Sequence, residues 1–458
     1  MPQPTVPHPG REASAETSRV PPAPPGYPLV GHFPVLRDVL SAAERFRELG
    51  DVVKLRLPPY DVYLILHPDD LERFLVRDHE LYRKDFTTRI LEGLLGQGLL
   101  VNEGASWRAQ RRIVQPEFTP RRVDSFVESM AGCTEPALGR FQSLQGSSVD
   151  LHAEMMRLTL DIAGRTLFGA ETSEVAGEIG GLVERFLVHY LGFMSTGLRW
   201  PDWVPTPGNL RNRQDVARLN QIVQSIIDER RRAAQPGNDL LSRLIAARDE
   251  AGRPMSDSLL RNESITMLLA GHETTALLLT FCLMLVGQHP EVEARLVEEL
   301  HQHAPGGRPS AAQLTQLTYM DIVLRESLRL YPPAYSIGRE ALVDTELGGY
   351  RIKKGDQVWA FQWVTQRDPR FFRDPSAFRP ERWLGEETRD LPRFAYFPFG
   401  GGPRICPGAH FSLVEAKIVL VMLLSRFRFE LESQAVPRLL PSVTIRPKGG
   451  LKARVFAR

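Results

Sequence analysis

Cysteine is scarce. The 458 residues hold three, Cys133, Cys282 and Cys406, odd in number and far apart. No disulfide framework can be built from them, and a reducing compartment is expected. An excess of one charge is missing too, because 57 Lys+Arg against 55 Asp+Glu leave a formal net charge of +2. A protein built to grip nucleic acid would be basic, so no nucleic-acid partner is expected. Apolar runs are limited: the longest spans residues 276–287, directly after His272 and Glu273. A bilayer-crossing helix needs about 20 mainly apolar residues. No apolar stretch follows the first charges as it would in a signal peptide. No transmembrane anchor is expected, and the chain reads as cytoplasmic.

What is present is ordinary for a globular protein, with 42% hydrophobic and 24% charged residues. Nine of the 36 prolines fall within the first 28 residues, among Ser, Thr, Glu and Arg. Such a tract buries too little to order itself, so residues 1–20 read as a disordered tail. No linker interrupts the remainder, and residues 21–458 read as one large domain. Two β-rich runs, 51–57 and 61–66, flank Pro58-Pro59 and predict a hairpin. From about residue 120 to 330 apolar residues recur three and four apart, which predicts helices. The longest covers 256–288, and Pro290 opens another with Glu291 and Glu293 in its first turn. Strand-like 357–361 and a helix over 408–426 follow. The fold class is mainly α with a smaller β region.

Three motifs carry chemistry. The first is Phe399-Gly400-Gly401-Gly402-Pro403-Arg404-Ile405-Cys406-Pro407-Gly408. It places a sulfur between a glycine loop and an apolar helix. Unpaired N–H groups and the helix dipole there favour thiolate, able to hold a metal or act as a nucleophile. A phosphate loop is excluded, because no Lys-Ser/Thr follows the glycines. His410 is the one nearby candidate for a nucleophile's base. Cys133 and Cys282 sit in helical sequence and read as core.

The second is Ala270-Gly271-His272-Glu273-Thr274-Thr275, in the middle of the long apolar helix. A zinc-protease reading fails because position 276, where the second histidine belongs, is Ala. Gly271 costs about 1 kcal/mol relative to alanine in mid-helix, and Thr274 can bond back to the carbonyl one turn earlier. A kinked helix with a polar notch is predicted. The third is Glu326 and Arg329, three apart and hence on one helix face. Such a pair matters only if buried.

In this order the motifs resemble the cytochrome P450 family over about residues 25–458. Phe399, Gly402, Arg404, Cys406 and Gly408 match its cysteine signature. Trp107 and Arg111, the Ala270–Thr275 notch, Glu326 with Arg329, and the 378–383 stretch holding Arg382 fall in the family's places. The resemblance implies a single P450-like fold with a long central helix over haem b (heme b, iron protoporphyrin IX). It implies Cys406 as thiolate ligand to iron. Trp107, Arg111, Arg404 and Arg339 become donors to the haem propionates, with Phe399, Gly408, Ala270 and Gly271 packed around the cofactor. Glu326, Arg329 and Arg382 become a brace behind the cysteine loop. Glu273 and Thr274 become the pair that brings protons to bound dioxygen.

The activity implied is monooxygenation: one oxygen atom from O2 enters a C–H bond. Electrons would come from a separate ferredoxin or flavodoxin with its reductase, because 458 residues leave no room for a fused reductase. Arg108, Arg112, Arg121 and Arg122 could form part of its docking face, or a solvated basic face. A monomer is expected. By position, residues 86–100, 186–203, the notch, 334–338 and the turn near Ser442 should line the substrate site. The first two are apolar, which favours a fatty acid, terpenoid or carotenoid. Phe193, Met194, Trp200 and Trp203 could touch a membrane. Two further readings are a peroxide-dependent haem-thiolate enzyme and a non-enzymatic haem sensor. Intact Glu273-Thr274 speaks against both.

Overall fold

A computed structural model describes residues 20–169, 176–196, 200–233, 237, 239–248 and 252–458. Nearly all of the predicted tail lies outside them. The elements that position the site are few. The central helix runs unbroken over Asp257–Gln288, starting where Ser256 Oγ accepts the Leu259 N–H at 3.3 Å. It is apolar on all sides, and a helix of that kind belongs in a core. By length and composition it could cross a membrane, as could Gly402–Leu424, yet 78% and 67% of their apolar windows are buried inside the protein. Hydropathy here marks core position.

Pro290 begins the next helix, Pro290–His303, as its sequence predicts. A helix over Thr318–Leu330 carries Glu326 and Arg329 inward, and Ala409–Leu424 follows the cysteine loop. The helix Leu151–Phe168 packs along the central helix, with Thr159 Oγ1 donating to the His272 carbonyl at 2.9 Å.

The predicted hairpin is Val52–Leu57 with Tyr60–Ile65. It forms one side of a five-stranded sheet, continuing through Gln357–Ala360 and Ile337–Ala341 to Tyr82–Lys84. The last pair sets Lys84 opposite Arg339. Side chains alternate along a strand, so Lys84 and Arg339 share one face while Asp85 and Gly338 serve the other. A Cβ on Gly338 would stand 2.3 Å from the Asp85 carboxylate, so glycine is required there. Near the C-terminus, Leu439–Pro441 pairs with Ile445–Pro447 in a short hairpin.

Candidate active site

The cysteine loop is shaped by its glycines. Gly402 has φ +65°, and a Cβ there would fall 2.0 Å from the Leu75 carbonyl oxygen. The Cys406 N–H donates to the Phe399 carbonyl at 3.0 Å, closing the loop, and Gly408 caps the helix that follows. The Gly408 N–H and the Arg111 charge both favour thiolate, as the sequence suggests. Burial outweighs them and pushes the thiol above its ordinary value. A lone thiolate is therefore disfavoured, and a cation at sulfur is what would restore it. The side chain is nevertheless exposed. Exposure within an enclosing protein means that the sulfur faces an internal gap. His410 is exposed and makes no hydrogen bond among the described residues, which leaves Cys406 without a base partner.

The central helix presents the same signature. Ala270 is exposed and Gly271 and Thr274 are partly so, whereas Met267, Leu268, Ala276 and Leu277 are buried. Thr274 Oγ1 donates to the Ala270 carbonyl at 2.7 Å, the predicted back-bond, and the helix stays continuous. A Cβ on Gly271 would meet Leu167 and Ala163 at ordinary contact distance, so this glycine lies against the helix Leu151–Phe168. His272 is buried with Nδ1 3.1 Å from the Leu268 carbonyl, and burial pushes its imidazole down. Thr275 Oγ1 lies 3.1 Å from Ser412 Oγ, joining the central helix to the one that follows Cys406.

Glu273 is buried and anchored by residues that no motif announces. Its Oε1 accepts from Thr444 Oγ1 and, at 2.7 Å, from Arg446 Nε. Arg446 Nη2 is 2.7 Å from the same oxygen, too misaligned to hydrogen-bond but close enough for an ion pair.

Around the gap stand cations that outnumber their acids. The Arg404 guanidinium lies 3.8 Å from the Trp107 ring centroid and donates to the Asn102 carbonyl at 2.9 Å and to Glu103. Burial, with Arg339 and Arg111 nearby and Glu103 opposing, pushes it down to about 10. Among the described residues the Arg339 guanidinium donates only to the Gly338 carbonyl, at 2.9 Å, and burial lowers it as well. Lys84, which the sequence did not single out, is driven well below its usual value by burial and by Arg339 and Arg404. Arg111 donates to Gln115 at 3.1 Å. The Trp107 indole N–H meets no acceptor among the described residues. Three arginines and the Lys84 amine beside Glu103 and Asp85, with donors to spare, suit an anionic ligand with several oxygens. Iron porphyrin, with one metal for the sulfur and two carboxylates for these donors, fits this set.

Behind the loop, the Glu326 carboxylate is fully buried and accepts five hydrogen bonds. They come from Arg329 Nε and Nη2 (2.9 and 2.8 Å), Arg379 N (3.0 Å), Arg382 Nε (3.0 Å) and Trp383 Nε1 (2.9 Å). Arg329 Nη1 reaches the Gln366 carbonyl at 2.9 Å, and Gln366 Oε1 accepts the Phe397 N–H at 2.9 Å. The brace thus reaches the chain two residues before Phe399.

The profile of the cytochrome P450 family matches residues 21–452. The chain belongs to the cytochrome P450 family. Three bacterial P450 relatives align along most of both lengths. Cyclooctat-9-en-7-ol 5-monooxygenase of Streptomyces melanosporofaciens is 34% identical over 417 residues, 89% of this chain and 88% of the relative. Cyclooctatin synthase of the same organism is 34% identical over 435 residues, 93% and 92%. Pentalenene oxygenase of Streptomyces avermitilis is 32% identical over 440 residues, 95% and 97%. This P450 is a monooxygenase.

A cavity of about 440 Å³ is lined by Asp85 and Gly338, the chain neighbours of Lys84 and Arg339, and by no residue of the notch. It takes Thr87, Leu91, Tyr190, Tyr335 and Ser442 from the segments expected to line the substrate site, and adds Asp85, Trp359 and Leu36. Its walls are less apolar than the sequence suggests, because Leu94, Leu95 and Leu99 turn into the core. Trp200 and Trp203 are exposed, whereas the side chains of Phe193 and Met194 lie outside the described residues. Arg108, Arg112 and Arg121 are exposed, but Arg122 is engaged by Glu117 at 3.0 Å and by the Phe126 ring.

Proposed function

We propose that this P450 hydroxylates a cyclic terpenoid, using haem b and electrons from a separate ferredoxin or flavodoxin. The observation that carries the reading is the pairing of a metal-seeking, enclosed Cys406 thiol with Thr274 and Glu273 on a helix tied to the same frame through Thr275 and Ser412. When bound, iron porphyrin supplies the activation of O2 and the transfer of one oxygen atom to carbon.

The chain's own residues supply the rest. Cys406 ligates iron from the loop, while Lys84, Trp107, Arg111, Arg339 and Arg404 hold the propionates. Thr274 keeps its hydroxyl at the gap with its hydrogen committed to Ala270, leaving oxygen lone pairs that can accept from a water. Glu273 has one oxygen bound to Thr444 and Arg446, and the other, without a donor among the described residues, can take part in proton exchange. The apolar packing around these groups excludes bulk water. The terpenoid class is supported by the names of the relatives, one acting on cyclooctat-9-en-7-ol and one on pentalenene. Exposed Arg108, Arg112 and Arg121 offer an acidic carrier a basic face.

Incubating the reconstituted enzyme with a panel of cyclic terpenes and fatty acids, then identifying products by mass spectrometry, tests the class. Hydroxylated terpenoids are expected, and products from fatty acids alone would refute it. Cys406→Ser is expected to abolish the thiolate-type spectrum of the carbon monoxide complex, and its retention would overturn the ligand assignment.

A further inference from the structure

The cavity lined by Asp85 and Gly338 holds polar groups that the mechanism above does not use. Tyr335 lines it, and its hydroxyl has no hydrogen-bond partner among the described residues. Burial, reinforced by the Asp85 charge, pushes this phenol well above its ordinary value, so it is a neutral donor at any working pH. Tyr190 is raised in the same way and is restrained by Thr87. A hydroxyl with no protein partner in a ligand-sized cavity is a donor open to whatever fills that cavity.

Asp85 forms the floor but has no capacity left for a ligand. Its oxygens accept from Thr87 Oγ1, Thr88 N (3.0 Å), Thr88 Oγ1 (2.5 Å) and Trp359 Nε1 (3.1 Å). Four donors fill a carboxylate's acceptor sites. A ligand's polar contact in this cavity must therefore come from groups other than Asp85. Leu36, Leu91 and Val443 supply apolar wall, and Arg37, Arg438, Ser336 and Ser442 also line the cavity.

We infer that this cavity is a subsite for an oxygen function already present on the substrate, a hydroxyl or keto group that Tyr335 hydrogen-bonds while the hydrocarbon rings lie against the leucines. The inference rests on the terpenoid reading and narrows it to an oxygenated cyclic terpenoid. Such a substrate must be supplied by an earlier step that hydrates or oxygenates the parent hydrocarbon.

The test is a spin-state titration of the purified holoenzyme with matched ligands: cedrene against cedrol, and abietadiene against abietadienol and abietic acid. Wild type is expected to bind each alcohol roughly tenfold more tightly than its hydrocarbon, the worth of one good buried hydrogen bond. Tyr335→Phe should erase that preference by weakening only the alcohols, with hydrocarbon affinity within about twofold of wild type. Equal binding of alcohol and hydrocarbon in wild type overturns the subsite even if the variant fails to take up haem. So does a preference that survives in Tyr335→Phe. Tighter binding of abietic acid, lost in Arg438→Gln, overturns it in favour of the arginines at the cavity mouth. Binding of none of the five refutes the terpenoid reading itself, and the subsite with it.

Discussion

Glu326 and Glu273 are both buried carboxylates beside arginine, and they do opposite things. Glu326 uses both oxygens, accepts five hydrogen bonds and binds two arginines that are themselves fully buried. Nothing in that arrangement can exchange a proton without dismantling the network. Among the described residues, Glu273 has two donors on one oxygen and none on the other. Its partners come from a short surface-reaching hairpin, Leu439–Pro441 with Ile445–Pro447. The difference teaches that burial beside arginine does not define a role. Saturation separates them: the satisfied carboxylate suits architecture, and the half-satisfied one suits the proton-handling role proposed for it.

The largest effect should come from breaking the saturated side. Glu326→Ala would leave Arg329 and Arg382 buried and uncompensated, at a cost of roughly 3–5 kcal/mol. Haem content and thermal midpoint should both collapse. On the other side, Glu273→Gln should leave the fold and haem content near normal while lowering turnover by about 10²-fold, the lower end for a lost proton-transfer group. The solvent isotope effect on turnover should rise with it. Thr274→Ala should act more selectively. Electron consumption should continue while product per electron falls several-fold, the difference appearing as peroxide or water. If coupling stayed at the wild-type level, Thr274 would have no part in holding the proton-bearing water.

A third buried carboxylate sharpens the comparison by titration. Glu263 accepts the Leu99 N–H at 3.2 Å and leaves its other oxygen unpaired, and burial pushes it up to about 7 from 4.5. Because the folded value is the higher one, the native state holds this proton more tightly than the unfolded chain. The stabilisation is complete below about pH 4.5 and is lost as pH rises through about 7. Urea unfolding at pH 5 and pH 8 should show a decline of roughly 2–4 kcal/mol that Glu263→Gln removes. A parallel decline in the variant would assign the effect to other groups.

Much of this was legible in the chain. The Cys406 loop, the central helix with its Ser256 cap, and the Glu326–Arg329 pair are local patterns, and local patterns fix local structure. Arg382 was placed by its motif. What escaped were partners brought together by topology. Lys84 meets Arg339 only because two strands far apart in the chain align in register. Thr444 and Arg446 lie more than 170 residues from Glu273, and a lone threonine and arginine near a C-terminus carry no signal of their own. The cysteine teaches a third lesson. Its helix-end position favours thiolate, as expected, yet the sequence could not weigh this against burial, which wins.

The contact between Thr275 and Ser412 has one more consequence. The helix that bears the acid and the helix that follows the sulfur are joined at this point, which resists widening of the slot between them. Ligands of different girth must then be accommodated at its mouth, where the hairpin and the Tyr190 segment border the cavity. Selectivity can drift there through surface substitutions without disturbing the distance over which oxygen is handed to carbon.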